Sequence, residues 1–359
     1  MANVIKTLAA EHEISLIVPS NEEFDVPEFV TSTLRLDKKG NPKNLYSPRP
    51  KIGLDLLGSN EAKISEYLES QNPDLVYWSH SYLPAATPDV FRKFAHRSVV
   101  EFANIEARRF RSTARASKFK MKVRLTIEAI KAFVWEPRIA RKAALCIALS
   151  SQDRAFLENR RANVVEAANG INHAPMNSIS DGYLLIFASM NYQPNVDATK
   201  NFVANFWPEI SRKFPRLELV VAGRSADRLH LDQGSNLRIV SDPESQDDVY
   251  RGAIATIIPT NSGGGSQLKI TESLQRNRLC LLTQYSIETA PSELKEYLSD
   301  FVFKDVAQCV DLISKIANED TRLELESQIE RNIKEMSWTE TLSALLVELR
   351  LWPEQNIRD

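Results

Sequence analysis

Short apolar runs alternate with amphipathic stretches almost from one end of this chain to the other. Runs at residues 13–18, 74–79, 98–103, 143–149 and 163–168 read as strands. A second set follows at 183–188, 217–222, 237–240, 253–258 and 279–283. Between them lie helical patterns such as 61–69, 197–214 and 268–275, and from about Asp305 the pattern turns mostly helical. Strands that alternate with helices pair in parallel and are covered on both faces. Strands buried on both sides are continuously apolar, as in Ile254-Ala-Thr-Ile-Ile258, rather than alternating. A chain of 359 residues is long enough for two such domains. The polar, turn-prone stretch 169–180 divides the strands into two sets of about five. The expected architecture is α/β: two doubly wound, Rossmann-like domains facing across a cleft, with ligands beyond the carboxyl ends of the strands.

Composition removes several other classes. A net charge of −2 gives no global polycation for nucleic acid. Cys146, Cys280 and Cys309 are odd in number and lie far apart, which forms neither a disulfide framework nor a zinc site. Buried, reduced thiols are the expectation. No run approaches the length of a membrane-spanning helix, and the N-terminus lacks the layout of a signal peptide. A cytoplasmic location is therefore expected.

One segment breaks the charge balance. From Glu106 to Lys142 there are twelve Lys or Arg against three acids, interleaved with apolar residues such as Phe119, Val123, Ile130 and Phe133. One reading is a helix pair with its apolar face on the core and its charges in water. The other is a basic amphipathic surface that meets anionic headgroups at the inner face of a membrane. On that reading Arg108, Arg109, Arg111, Lys118, Lys120 and Lys122 form the membrane or acceptor side.

The segment from Ile257 to Leu274 reads as a buried strand, a glycine-rich turn, then a helix that begins near Ser266 or Gln267. Gly263, Gly264 and Gly265 allow backbone to approach a ligand closely. A helix start offers unpaired N–H groups to a phosphate. Lys269 adds a positive charge where the helix dipole disfavours one unless an anion is bound. Glu272, three residues on, shares its face and is placed to accept from ribose hydroxyls. The alternative is a plain turn followed by a surface ion pair. The order Ser-Gln-Leu-Lys after the glycines is not a P-loop, and no dinucleotide fingerprint is present.

These residues, taken with others in order, resemble the group 1 glycosyltransferases of family 4, which have the GT-B fold. The match is nearest to a bacterial subgroup with a Met-x-Tyr-x-Pro-Asn turn, here Met190-Asn-Tyr-Gln-Pro-Asn195. Leu219-Val-Val-Ala-Gly-Arg224, Asp247-Asp-Val-Tyr250, the segment 263–274 and Ser337-Trp338 continue it. In the first half, Val99 to Glu106, Leu149-Ser-Ser-Gln-Asp153 and Asn169-Gly170-Ile171 are looser matches.

The resemblance implies a retaining transferase that moves a sugar from a nucleotide-sugar donor to a hydroxyl of a glycan or lipid-linked acceptor, in polysaccharide or cell-envelope synthesis. It implies that Glu272 holds the ribose, with Lys269 and Arg224 near the diphosphate. The backbone at Gly265, Ser266, Gln267 and Leu268 then lines the leaving group, and Gly263, Gly264 and Asn195 also belong to the donor site. Asn104 and Glu106 are the candidates for a catalytic role. No metal or other cofactor is expected, because no Asp-x-Asp triplet occurs. The implied domains are 1–171 on the acceptor side, 172–340 for the donor, and a helix at 341–359 that packs back on the first.

Three departures stand out. Gly264 occupies the place of the first glutamate of the family's pair, and Ala103 that of a histidine. The chain also opens inside what corresponds to the first helix, without the first strand and its glycine loop, which is expected to leave neighbouring strands unpaired. These departures keep a second reading open, a degenerate GT-B protein that binds nucleotide or a partner without catalysis. A sugar-nucleotide epimerase is weaker, because no acid/base set is evident. His80 lies at the correct end of a strand for function, although an ordinary surface histidine is the alternative.

Overall fold

The structure is a computed structural model that describes residues 2–19, 26–37, 42–57, 60–115, 117, 119–177, 182–231, 236–262 and 268–356. The chain divides into two compact units, Met1–Ala168 with Thr341–Asp359, and Asn169–Glu340.

In the first unit, β1 (Ile14–Pro19) and β2 (Val30–Leu36) form a two-stranded parallel sheet. Strands β3 (Val76–Trp78), β4 (Ser98–Phe102), β5 (Leu145–Ala148) and β6 (Val164–Glu166) form a separate parallel sheet in that order. Among the described residues, β1 pairs only with β2, and β3 only with β4. The two sheets still share one core, in which Ile17, Leu34 and Leu36 pack with Val76, Val100 and Phe102. Strand β2 has no counterpart among the apolar runs of the sequence. It is rich in Thr and Ser and mostly half-buried, so β-branching rather than hydrophobicity marks it.

The basic segment folds as two helices, Glu106–Arg115 and Phe119–Lys142. The first is capped from the second: the Glu136 carboxylate accepts the N–H groups of Glu106 (2.6 Å) and Ala107 (3.2 Å). The helix Ser343–Asn356 also belongs to this unit, with Leu345 and Leu349 buried and Arg350 donating to Glu11 (2.8 Å from Nε).

The second unit holds β7 (Tyr183–Phe187), β8 (Glu218–Gly223), β9 (Leu237–Ser241), β10 (Ala253–Ile258), β11 (Leu279–Thr283) and the short β12 (Val302–Phe303). They form one parallel sheet in the order β12-β11-β10-β7-β8-β9. The chain builds outward from β7 to β9, then returns to the other side of β7 to lay down β10, β11 and β12. The connections after β7 and β10 therefore leave the sheet in opposite directions, which opens a crevice at the carboxyl ends of those two strands.

The helical pattern at 197–214 is two helices, Gln193–Asn205 and Trp207–Lys213. Pro208 sits at the start of the second, where a missing N–H costs nothing. The stretch entering this unit is stitched in place. Ile171 N–H donates to the Met336 carbonyl (2.6 Å), and Gly170 lies so close to Trp338 that a Cβ would stand 2.5 Å from its Cα. Ala174 and Met176 donate to the Gln275 and Arg276 carbonyls.

All three cysteines are buried and unbridged. Among the described residues no helix is long and apolar enough to cross a membrane.

Candidate functional site

At the switch point of the second unit, the turn after β7 and the helix after β10 meet through side chains. Asn195, in the first turn of the helix Gln193–Asn205, is buried, and its amide donates to the Ser189 carbonyl (2.9 Å). The other end of that amide, Oδ1, accepts from Lys269 Nζ at 2.9 Å. Lys269 lies in the first turn of the helix Leu268–Leu274. Two residues 74 positions apart are thus joined across the opening between β7 and β10. Burial lowers the Lys269 ammonium to about 8, against the nearby Glu272 carboxylate, which favours its charge. A cation held in so dry a place gains strongly from an anion at the opening.

Glu272 follows on the same helix face. Burial raises its carboxyl group, opposed by the charges of Arg276 and Lys269. Arg276 is itself buried and fixed: its Nε donates to Asp247 Oδ1 (2.8 Å), one terminal nitrogen donates to the Glu272 carbonyl (2.9 Å), and its guanidinium lies 4.6 Å from the Tyr250 ring centre. This arginine escaped the sequence reading. Its position four residues after Glu272, in the turn that follows the helix Leu268–Leu274, was the available signal.

Arg224 is exposed at the carboxyl end of β8. Its carbonyl accepts the Met190 N–H at 2.8 Å, which ties the end of β8 to the turn after β7. Gly223 makes that approach possible: its φ is +129°, and a Cβ there would stand 2.2 Å from the Ala188 carbonyl oxygen. The exit of β10 is anchored from the far side. The Thr260 carbonyl accepts from the hydroxyls of Thr283 and Ser286, and all three residues are buried. Beside it a cavity of about 190 Å³ opens over the ends of β10, β11 and β12, lined by Phe202, Phe206, Asn261, Thr283, Gln284 and Lys304 among others. Lys269 and Glu272 are not part of that cavity.

Gly263, Gly264, Gly265, Ser266 and Gln267 lie outside the described residues, as does Lys118. The helix start predicted near Ser266 or Gln267 therefore appears only from Leu268, which is half exposed.

In the first unit, Asn104 follows the carboxyl end of β4, and its Oδ1 is buried with no hydrogen-bond partner among the described residues. Glu106 is 3% exposed and accepts from Arg109 Nε at 2.8 Å. Burial raises its carboxyl group, and Arg109 opposes the rise. His80, beyond β3, stacks on Tyr82 with ring centres 4.9 Å apart, and burial followed by the Arg109 charge lowers it.

The six basic residues assigned to the membrane or acceptor side do not act alike. Arg108 faces Asp153 (3.7 Å) and the Phe156 ring, while Arg109 pairs with Glu106. Arg111, Lys120 and Lys122 are exposed. Among the described residues no group of three or more His, Cys, Asp or Glu is placed to hold a metal ion.

No protein-family model matches the sequence. No curated protein matches it either. Solved structures do. A sucrose-phosphate synthase from Thermosynechococcus elongatus superposes with a TM-score of 0.68 at 12% identity, covering 98% of this chain and 92% of that one. A structure from E. coli described as trehalose-6-phosphate bound with UDP-2-fluoro glucose gives 0.65 at 10% identity, covering 97% and 95%. TarM of S. aureus, in a complex that includes UDP, gives 0.57 at 15% identity, and the match covers 80% of this chain but only 58% of TarM. The chain thus has the GT-B fold, and its structural likeness is to retaining glycosyltransferases of that fold.

Proposed function

We propose that the second unit binds the nucleoside diphosphate of an activated sugar, and that the protein transfers that sugar with retention to a hydroxyl of a glycan or lipid-linked acceptor. The observation that carries this reading is the Lys269–Asn195 contact, which sets a desolvated ammonium at the switch point of a parallel sheet. The leaving group of such a transfer is a nucleoside diphosphate, and its growing negative charge is best met by fixed cations in a dry site. On this reading Lys269 and Arg224 face the two phosphates, and Glu272 accepts from the ribose hydroxyls. Arg276 and Asp247 hold the helix that presents Lys269 and Glu272. The UDP and UDP-sugar ligands of the matched structures support a donor of this class.

Calorimetric titration of the full chain with UDP, GDP and ADP tests the proposal. At least one should bind, and Lys269→Ala should weaken it by roughly tenfold or more, the scale of a lost charge-assisted phosphate contact. Binding of none of the three would overturn it.

A second reading, binding without catalysis, is supported by Gly264 and Ala103 in the sequence and by the burial of Glu106 against Arg109. Donor hydrolysis or sugar transfer that disappears in Glu272→Ala would eliminate it.

A further inference from the structure

The helix Phe119–Lys142 is apolar on two faces. One face, with Ala132, Trp135, Ile139 and Ala140, is buried. The other carries Phe119, Val123, Ile130 and Phe133 at steps of four, seven and three residues, which is helical spacing for a single side. These side chains are 83%, 44%, 63% and 66% exposed, and Val134 beside them is 45% exposed. The stripe from Phe119 to Phe133 is about 20 Å long. Exposed apolar residues are ordinary when scattered, whereas five on one side of a helix, broken only at Thr126, mark a surface that something covers.

Charge identifies the partner. Lys120, Lys122 and Arg124 are exposed at one end of the stripe, and Arg138, Arg141 and Lys142 at the other. The two acids of this helix, Glu128 and Glu136, are buried; Glu128 accepts from Lys131 at 2.6 Å, and Glu136 caps the neighbouring helix. The outward face therefore presents rings, aliphatic groups and cations. A second copy of this helix would fit the spacing of the stripe, but in either direction it would set lysine and arginine against lysine and arginine. A bilayer with anionic headgroups answers both features, because it takes the apolar stripe at its acyl boundary and the cations at its phosphates.

We propose that the helix Phe119–Lys142 docks in the plane of an anionic phospholipid membrane, with Phe119, Ile130 and Phe133 entering the acyl boundary. Flotation of the full chain with vesicles tests this, and needs no nucleotide, so it succeeds or fails independently of donor binding. Vesicles of phosphatidylglycerol mixed with phosphatidylcholine should carry the protein, and vesicles of phosphatidylcholine alone should not. The triple variant Phe119→Ser, Ile130→Ser, Phe133→Ser should lose tenfold or more in binding. Lys120→Gln, Lys122→Gln, Arg124→Gln together should lose about a hundredfold, at roughly fivefold for each basic side chain. All six positions are exposed, and circular dichroism should show both variants folded. Failure of the wild type to float with anionic vesicles would overturn the proposal. So would flotation that neither variant changes, or an apolar variant that converts a dimer to a monomer while its vesicle binding stays intact.

Discussion

Lys269 couples the site to pH. Its ammonium titrates near 8 in the folded chain, below the 10.5 of an exposed lysine, because burial disfavours the charge. A phosphate needs the charged form, so nucleotide affinity should fall as pH rises through about 8. Calorimetry on either side of that value should show the fall, and a flat profile would contradict it. The linked effect on stability has the opposite sign. Between about 8 and 10.5 the unfolded chain holds a proton that the folded chain has released, so stability should rise with pH across that window. The Lys269→Met variant should lack that rise in urea unfolding.

Gly223 tests the backbone beneath the same site. With φ at +129° and the Ala188 carbonyl where a Cβ would stand, Gly223→Ala should cost about 3 kcal/mol in unfolding free energy. A loss below about 1 kcal/mol would show that the turn after β7 does not need this close approach. At this scale Lys269, Glu272 and Asn195 were legible as single residues from charge, spacing and resemblance. Their meeting was not, because a contact spanning 74 positions depends on which strands become neighbours.

Among elements, the strands of the second unit were the most readable, since burial on both faces leaves continuous apolar runs such as Ala253–Ile258. Strand β2 was hidden by its Thr and Ser content, and β12 by having only two residues. The helix pair at 106–142 was readable as helices, whereas the pairing of Arg109 with the buried Glu106 was not. That pairing consumes a charge that composition alone assigns to the surface. The start of β11 carries its own anchor. Arg278 is fully buried and donates to the carbonyls of Tyr250 (3.1 Å), Met176 (3.3 Å) and Asn177 (2.9 Å), which joins the entering segment to the sheet. Removing its guanidinium takes a donor from each of those carbonyls in a dry place. Arg278→Met should therefore destabilise the chain by about 3 kcal/mol or more, measured by denaturant unfolding. A loss within about 0.5 kcal/mol, the range of a surface substitution, would show that water reaches these carbonyls.

For the molecule as a whole, alternating strands and helices announce two parallel-sheet units, but they do not announce strand order. The order β12-β11-β10-β7-β8-β9 places the reversal between β7 and β10, and that reversal brings the Met190–Asn195 turn beside Lys269. The likeness to GT-B structures over 97–98% of the chain, at 10–12% identity, reflects the same division of labour between sequence and topology. The path of the backbone is shared while most side chains differ. Backbone hydrogen exchange of the full chain, with and without UDP, reads the site directly. Slower exchange on nucleotide addition should be concentrated in residues 188–196 and 268–274, with β3 to β6 unchanged. Protection confined to the sheet of β3 to β6, or protection nowhere, would contradict a nucleoside diphosphate seated between β7 and β10.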